Sequence, residues 1–420
     1  MTEPTDDVGS GLDKLDQRGE AAQRGELDER GGLDKLDQRD ERDEREERGE
    51  SIGARIDWSL AATVGKRLVR PGPKVTEYTL DAAQAELADA AVRAEGPVRE
   101  VTGLADGLRV PSALVVDRRG WVDAASQSMR SMLDGDDDGE SGGGLSGKVG
   151  GLQAGGLLAF LAGAILGQYD PFTPSGSDSS GPSDPGAGSA ASGPQNPGAG
   201  SAASGPSNPG VLMLVTPNII AVERSLRVVP SDFRLWVCLH EVTHRVQFSA
   251  NPWLRQYMLD NIAVLTSDAG ESVADVVARI NSAVRGGAKR EKGVIGVMQM
   301  LQTPEQYEAF TRMMMLGTLL EGHADHVMDA VGPAQVPTVE QIRASFDKRR
   351  TAPRNPVQRI IRALIGMDAK LAQYIRGKAF VDEVVGTVGM ERFNTIWTDA
   401  ETLPRPDEID EPSRWIARVL

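Results

Sequence analysis

Two short stretches hold all four histidines of this 420-residue chain: His240-Glu241-Val242-Thr243-His244 and Glu321-Gly322-His323-Ala324-Asp325-His326. Histidines that serve only packing are scattered along a chain, and these are not. The first stretch is the HExxH pattern. On a helix, residues four apart lie on one face, one turn above each other, so two imidazoles can bind a single zinc ion. The glutamate between them can reach a water on that metal and act as its base. The pattern therefore demands a helix at 240–244 and a second element that brings a third ligand to it.

Both stretches read as helical. Pro230-Ser231-Asp232 opens one segment with a capping residue and an acid in its first turn, and Asn251-Pro252 ends it. Leu235, Trp236, Leu239, Val242 and Val246 cover most of its circumference, which gives a metal site a dry wall. Thr303-Pro304-Glu305-Gln306 is a capping-box start for a second helix, which runs to Ala330 and stops at Gly332-Pro333. On that helix Glu321 and Asp325 are four apart and share a face, whereas His323 lies about 200° around the axis from each at 100° per residue. Either Glu321 or His323 can point to the metal from a regular helix, not both.

Glu321 is the expected ligand, with Asp325 accepting the free ring N–H of a ligating histidine and so fixing its tautomer. His323 is the alternative ligand, expected otherwise to pack or hydrogen-bond away from the metal. His326, about 140° from Glu321, is a candidate at the rim of the cleft for stabilising a tetrahedral intermediate. Tyr374 and Arg376 are further candidates for that role. Two imidazoles and one carboxylate leave a fourth position open, as in catalytic zinc sites. The chemistry implied is hydrolysis of a peptide or small amide, with Glu241 taking a proton from water and returning it to the leaving amine.

Composition sets the frame around this site. Residues 1–50 carry 18 acids and 9 bases, more than half of the formal charge of -15. The acidic balance argues against nucleic acid as a partner and implies no other. Gly-Leu-Asp-Lys-Leu-Asp-Gln-Arg recurs at 11–18 and 32–39, but most intervening seam positions are polar, so 1–51 reads as a disordered charged tail. Residues 174–210 form a flexible Gly/Pro/Ser/Ala insert. Between them, 52–173 reads as a helical region packing on a catalytic unit at 211–420, where Val211–Val215 supplies a short strand. The fold class is mainly α with a small β element. Cys238 is the single cysteine, which excludes an internal disulfide and a cysteine-based zinc site. With no basic-then-apolar leader pattern at Met1, the expected location is cytoplasmic. The apolar, glycine-spaced run 149–169 is the membrane candidate, but it is short, interrupted by Gln153 and unflanked by basic residues. A buried helix with close glycine contacts is expected there.

The stretches Leu239-His240-Glu241-Val242-Thr243-His244-Arg245-Val246-Gln247-Phe248 and Leu320–Asp329 resemble the actinobacterial zincin-like metallopeptidase type 2 family. The resemblance extends to Ile56-Asp57-Trp58, Gly96–Thr102, Leu166–Asp170 and Met367–Lys370, and so covers most of 52–420. It implies a largely helical zincin-like fold with a gluzincin-like HExxH and a downstream glutamate. It further implies His240, His244 and Glu321 as zinc ligands and Glu241 as base. The family's label of association with deazaflavin coenzyme biosynthesis comes without a glycine-rich cradle for such a coenzyme in this chain.

Two other readings make different demands. A non-enzymatic, zinc-stabilised scaffold, with the helical N-terminal region binding a partner, needs His323 or His326 to close the metal site with a fourth protein ligand. A membrane-associated protease needs 149–169 as its anchor. The sequence assigns no oligomeric state.

Overall fold

The computed structural model describes residues 56–133, 145–173, 210–267, 303–351 and 367–420, without the side chains of 146, 347, 349–351 and 367–375. The expected tail at 1–51 and all but the end of the 174–210 insert lie outside the described residues. The helices are α1 (Trp58–Leu68), α2 (Glu77–Thr102), α3 (Arg118–Leu133), α4 (Leu145–Leu161) and α5 (Thr216–Leu226). After these come α6 (Pro230–Ala250), α7 (Trp253–Thr266), α8 (Pro304–Gln335), α9 (Val339–Thr351) and α10 (Met367–Val388). Three short helices end the chain, α11 (Met390–Phe393), α12 (Pro406–Asp410) and α13 (Pro412–Val419). The protein is mainly α-helical with one small sheet.

That sheet decides how the helices are layered. β3 (Val211–Val215) lies between β1 (Leu114–Val116) and β2 (Gly167–Asp170), in the order β1-β3-β2. β1 runs parallel to β3 with Leu114 opposite Met213, and β2 runs antiparallel with Gly167 opposite Leu214. Successive strand side chains point to opposite faces. Leu212 and Leu214 therefore join one core with α2, α5, α6 and the end of α8, while Met213 and Val215 join another with α1, α3 and α4. A third core lies between α7, α8, α10 and the C-terminal helices, around Phe380, Phe393 and Trp415.

α6 runs through the first core and is apolar on most sides, from Phe233 to Val246. Each fully buried Phe, Leu or Val contributes about 1.5–3 kcal/mol. Its two buried cations are paired, as buried charges must be. Arg234 bonds Glu223 at 2.8 Å and also meets Glu86, and Arg245 meets Glu95 at 2.5 Å and donates to the Pro111 carbonyl at 2.8 Å. Those pairs fix the rotation of α6 against α2 and hence which face carries His240 and His244. The start of α6 differs from the sequence expectation. Val229 occupies the N-cap position, with no side-chain cap bond, and Pro230 follows it. The Asp232 carboxylate instead accepts from the Thr338 N–H at 3.0 Å and hydroxyl at 2.7 Å, tying α6 to the start of α9.

α8 begins with the expected capping box, the Gln306 N–H donating to Thr303 and the Thr303 N–H to Gln306. Its regular part ends where expected, at Gly332-Pro333. The chain kinks at Gly332, at φ 65°, and a last short helical piece follows to Gln335.

The apolar run 149–169 is divided between α4 and β2, and among the described residues no helix is long and apolar enough to cross a membrane. Its glycines do make close contacts. A Cβ on Gly151 would stand 2.6 Å from the Asp57 carbonyl oxygen, and one on Gly155 would stand 2.7 Å from that of Ala61, so α4 rests backbone-on-backbone against α1. The expected burial holds for this face only. Leu145, Val149, Leu152, Leu157 and Phe160 on α4 are exposed.

Candidate metal centre

His240 and His244 project from one face of α6 towards Glu321 on α8. Their Nε2 atoms are 3.2 Å apart, and the Glu321 carboxylate lies 3.4 Å from the first and 3.8 Å from the second. These are metal-ligand spacings. Tetrahedral zinc with bonds of roughly 2.0–2.1 Å sets its ligand atoms about 3.3 Å apart. Two imidazole nitrogens and a carboxylate oxygen are also a donor set that zinc accepts, so the residues present fit the ion. Among the described residues this is the group of His, Cys, Asp and Glu side chains close enough to hold one.

α8 is brought close by a backbone crossing next to Glu321. A Cβ on Gly322 would lie 2.3 Å from the Gly377 carbonyl carbon, and one on Gly377 would lie 2.2 Å from the Thr318 oxygen. α8 and α10 thus touch with no side chain between them, immediately beside the carboxylate.

The groups behind the histidines are not those expected. Gln247, not Asp325, faces His244: its Oε1 lies 2.9 Å from His244 Nδ1. His240 Nδ1 faces the Met328 sulfur at 3.3 Å. Asp325 turns to α9, where its carboxylate lies 3.9 Å from Arg343 and its carbonyl accepts from the same guanidinium at 3.0 Å. His323 is fully buried and points away from the triangle, as helix geometry implies, with its Nδ1 2.9 Å from Gln247 Nε2 and its ring against Phe393 and Trp397. His326 bonds Asp382 at 2.7 Å through Nδ1. Arg376, a candidate oxyanion donor, pairs with Asp410, and the Tyr374 side chain lies outside the described residues.

Glu241 is buried on the same turn of α6, 7 % exposed, and burial pushes its carboxyl up to about 7, with His240 opposing and Glu321 adding. It lies against β2: a Cβ on Gly167 would stand 2.6 Å from Glu241 Cγ. Only a glycine lets the strand approach this closely. Burial drives His240 down, but the hydrogen bond and charge of Glu321 outweigh it and take the ring up to about 9, while burial prevails at His244 and lowers it. The nearer ring takes most of the carboxylate's field. A cation within the triangle repels the ring protons, so both imidazoles serve it in their neutral form.

Sequence reasoning missed Gln247, Met328 and Gly167. A signal existed for Gln247, which is three residues after His244 and so on a neighbouring position of the same helix face.

A mainly helical fold that sets an HExxH helix against a carboxylate from a second helix defines a metal-dependent hydrolase of the zincin type. The chain belongs to the zincin-like metallopeptidase family, whose sequence pattern it matches over residues 56–416. It is also similar to a crystal structure from Chloroflexus aurantiacus, described as a candidate hydrolase with a novel fold, at 29 % identity and a TM-score of 0.54. That likeness covers 86 % of this chain and 98 % of the other. No curated protein matches the chain.

Proposed function

We propose that the protein is a zinc metallopeptidase that cleaves peptide or small amide bonds, with His240, His244 and Glu321 holding the metal and Glu241 as general base. The observation that carries this reading is the pair of ring nitrogens 3.2 Å apart with the two Glu321 oxygens 3.4 and 3.8 Å from them, and a buried carboxylate on the same helix turn. Bound zinc supplies Lewis acidity and lowers the pKa of water towards neutrality. The buried Glu241 carboxylate, one residue after His240 on the same helix turn, is placed to take a proton from water and return it to a leaving amine. β2 is an edge strand among the described residues, and Gly167 brings its backbone close to Glu241.

The scaffold reading requires a fourth protein ligand. It finds little support, since His323 bonds Gln247 and His326 bonds Asp382. We also place the protein in the cytoplasm, which cell fractionation tests. The functional test is Glu241→Gln on zinc-loaded protein with a peptide library as substrate. Zinc stoichiometry is expected to hold while turnover drops by roughly 10²–10⁴-fold or more. Undiminished cleavage by that variant would remove Glu241 as the base.

A further inference from the structure

We infer that Gln247 and His323 form a positioning relay that fixes His244 in the tautomer able to bind metal. One group beside Gln247 has no choice of role. The Leu320 carbonyl oxygen can only accept, and the Gln247 atom facing it, at 3.0 Å, must therefore be the amide nitrogen. The same nitrogen faces His323 Nδ1 at 2.9 Å, so its second proton goes there and Nδ1 of His323 carries a lone pair. With both N–H groups committed, the amide oxygen is left facing His244 Nδ1 at 2.9 Å. An oxygen there can only accept, so His244 holds its proton on Nδ1 and presents the Nε2 lone pair to His240 and Glu321. A buried amide without these two acceptors could turn over, and an NH2 facing His244 would demand the opposite tautomer.

His323 is placed to do this and nothing closer to the metal. It is fully buried, stacked on Phe393 with ring centroids 5.5 Å apart and against Trp397 at 5.4 Å. Its Nε2 has no hydrogen-bond partner, which agrees with a ring retained for the acceptor at its other nitrogen. His240 has a weaker counterpart, since the thioether sulfur of Met328 facing its Nδ1 is a poor acceptor. The relay thus assigns the second motif two separate duties. Glu321 reaches the metal from one face of α8, and His323 orients a metal-binding ring from the opposite face.

This inference rests on the metal-binding reading above, and its test separates the two. Zinc affinity of the full chain is measured by competition with a chromophoric chelator. The visible spectrum of the cobalt form reports the ligand field, and thermal melting of the metal-free protein reports folding. His323→Leu removes the acceptor and His323→Asn restores one near the Nδ1 position. Gln247→Leu removes the relay from the other side. Gln247→Leu is expected to weaken zinc binding by roughly 10–100-fold, as loss of a ligand's hydrogen-bond partner does, and His323→Leu, where the Leu320 carbonyl still holds the amide, by a smaller factor, with both altering the cobalt spectrum. The double variant should be no weaker than Gln247→Leu alone, and His323→Asn should recover most of the affinity. Wild-type zinc affinity in His323→Leu, or equal losses in His323→Leu and His323→Asn, overturns the relay. If His323→Leu does not fold, wild-type affinity and spectrum in Gln247→Leu overturn it equally. Failure of the wild type to bind zinc, or unchanged binding by His240→Ala, would instead strike the metal site itself.

Discussion

Gly322→Ala should be among the most damaging single-methyl changes in this protein, because of what lies behind the residue. The added Cβ would stand 2.3 Å from the carbonyl carbon of Gly377, 2.5 Å from its oxygen and 2.7 Å from the Lys378 nitrogen. Non-bonded carbon atoms rest at about 3.5–4.0 Å, so α8 and α10 must separate by more than about 1 Å. All three opposing atoms are backbone, and none can rotate aside. Overpacking of this kind costs about 3 kcal/mol at its upper end, and the better helix propensity of alanine returns about 1 kcal/mol, leaving a net loss near 2 kcal/mol. Glu321 is the preceding residue, so the same displacement carries its carboxylate out of the ligand triangle. Losing only an outer partner of a ligand costs roughly 10–100-fold in metal affinity, and a displaced ligand should cost at least as much.

Gly317 is the internal control, on the same helix and with open space where its Cβ would be. Gly317→Ala should raise stability by up to about 1 kcal/mol and leave zinc affinity alone. Urea denaturation of the two variants, followed by circular dichroism, and zinc titration of each would read both effects. Equal stability and equal zinc affinity in Gly322→Ala and Gly317→Ala would refute the close crossing of α8 and α10.

Other expectations follow from separate features. Gly167→Ala, whose methyl would meet Glu241 Cγ at 2.6 Å, should preserve zinc stoichiometry but depress turnover on peptides; undiminished turnover would show that β2 does not confine the base. Zinc at 100-fold over its dissociation constant should stabilise the fold by about 2.7 kcal/mol, visible as a raised melting temperature that His240→Ala no longer shows. At Glu408, burial raises the carboxyl, but Arg418 at 2.6 and 2.8 Å and the Arg405 N–H outweigh it and hold the group below its usual range. A folded-state value below the unfolded one stabilises above the ordinary carboxylate range, and that stabilisation is lost as pH falls through the lower folded value. The stability gap between wild type and Glu408→Gln should therefore be full at neutral pH and close in acid, and a gap independent of pH would contradict the pairing.

The helices that hold the metal triangle were legible because their signals are local. Spacing four places His240 and His244 on one face, the capping box marks Thr303, and 100° per residue turns His323 away from Glu321. The sheet was legible only at β3. β1 has three residues, and its partner β3 lies almost a hundred positions later. β2 is embedded in an apolar run that reads as one element until the chain leaves the helix after Leu161. Pairing of this kind is a long-range event, and no window of sequence contains both strands. The same holds for the glycine crossing. The chain has 47 glycines, and nothing local says that Gly322 and Gly377 are the two that meet.

The partner of His244 is the instructive case, because the information was present. The sequence points to Asp325 in that role because it sits one turn from Glu321 and can accept a ring N–H. Asp325, however, is also reached from beyond α8. Arg343, on a helix beyond the metal motifs, lies beside both the carboxylate and the carbonyl of Asp325, and a guanidinium is a stronger claimant on a carboxylate than a neutral ring N–H. Gln247 meets no such competitor. It rides on α6 three residues after His244, at a spacing where helix side chains touch, and its neutral amide adds no charge to a buried site. An amide does have two ends, and α6 alone cannot determine which one faces the ring. That choice falls to Leu320 and His323 on α8, so the tautomer of a ligand on one helix is set by the backbone and side chain of the other.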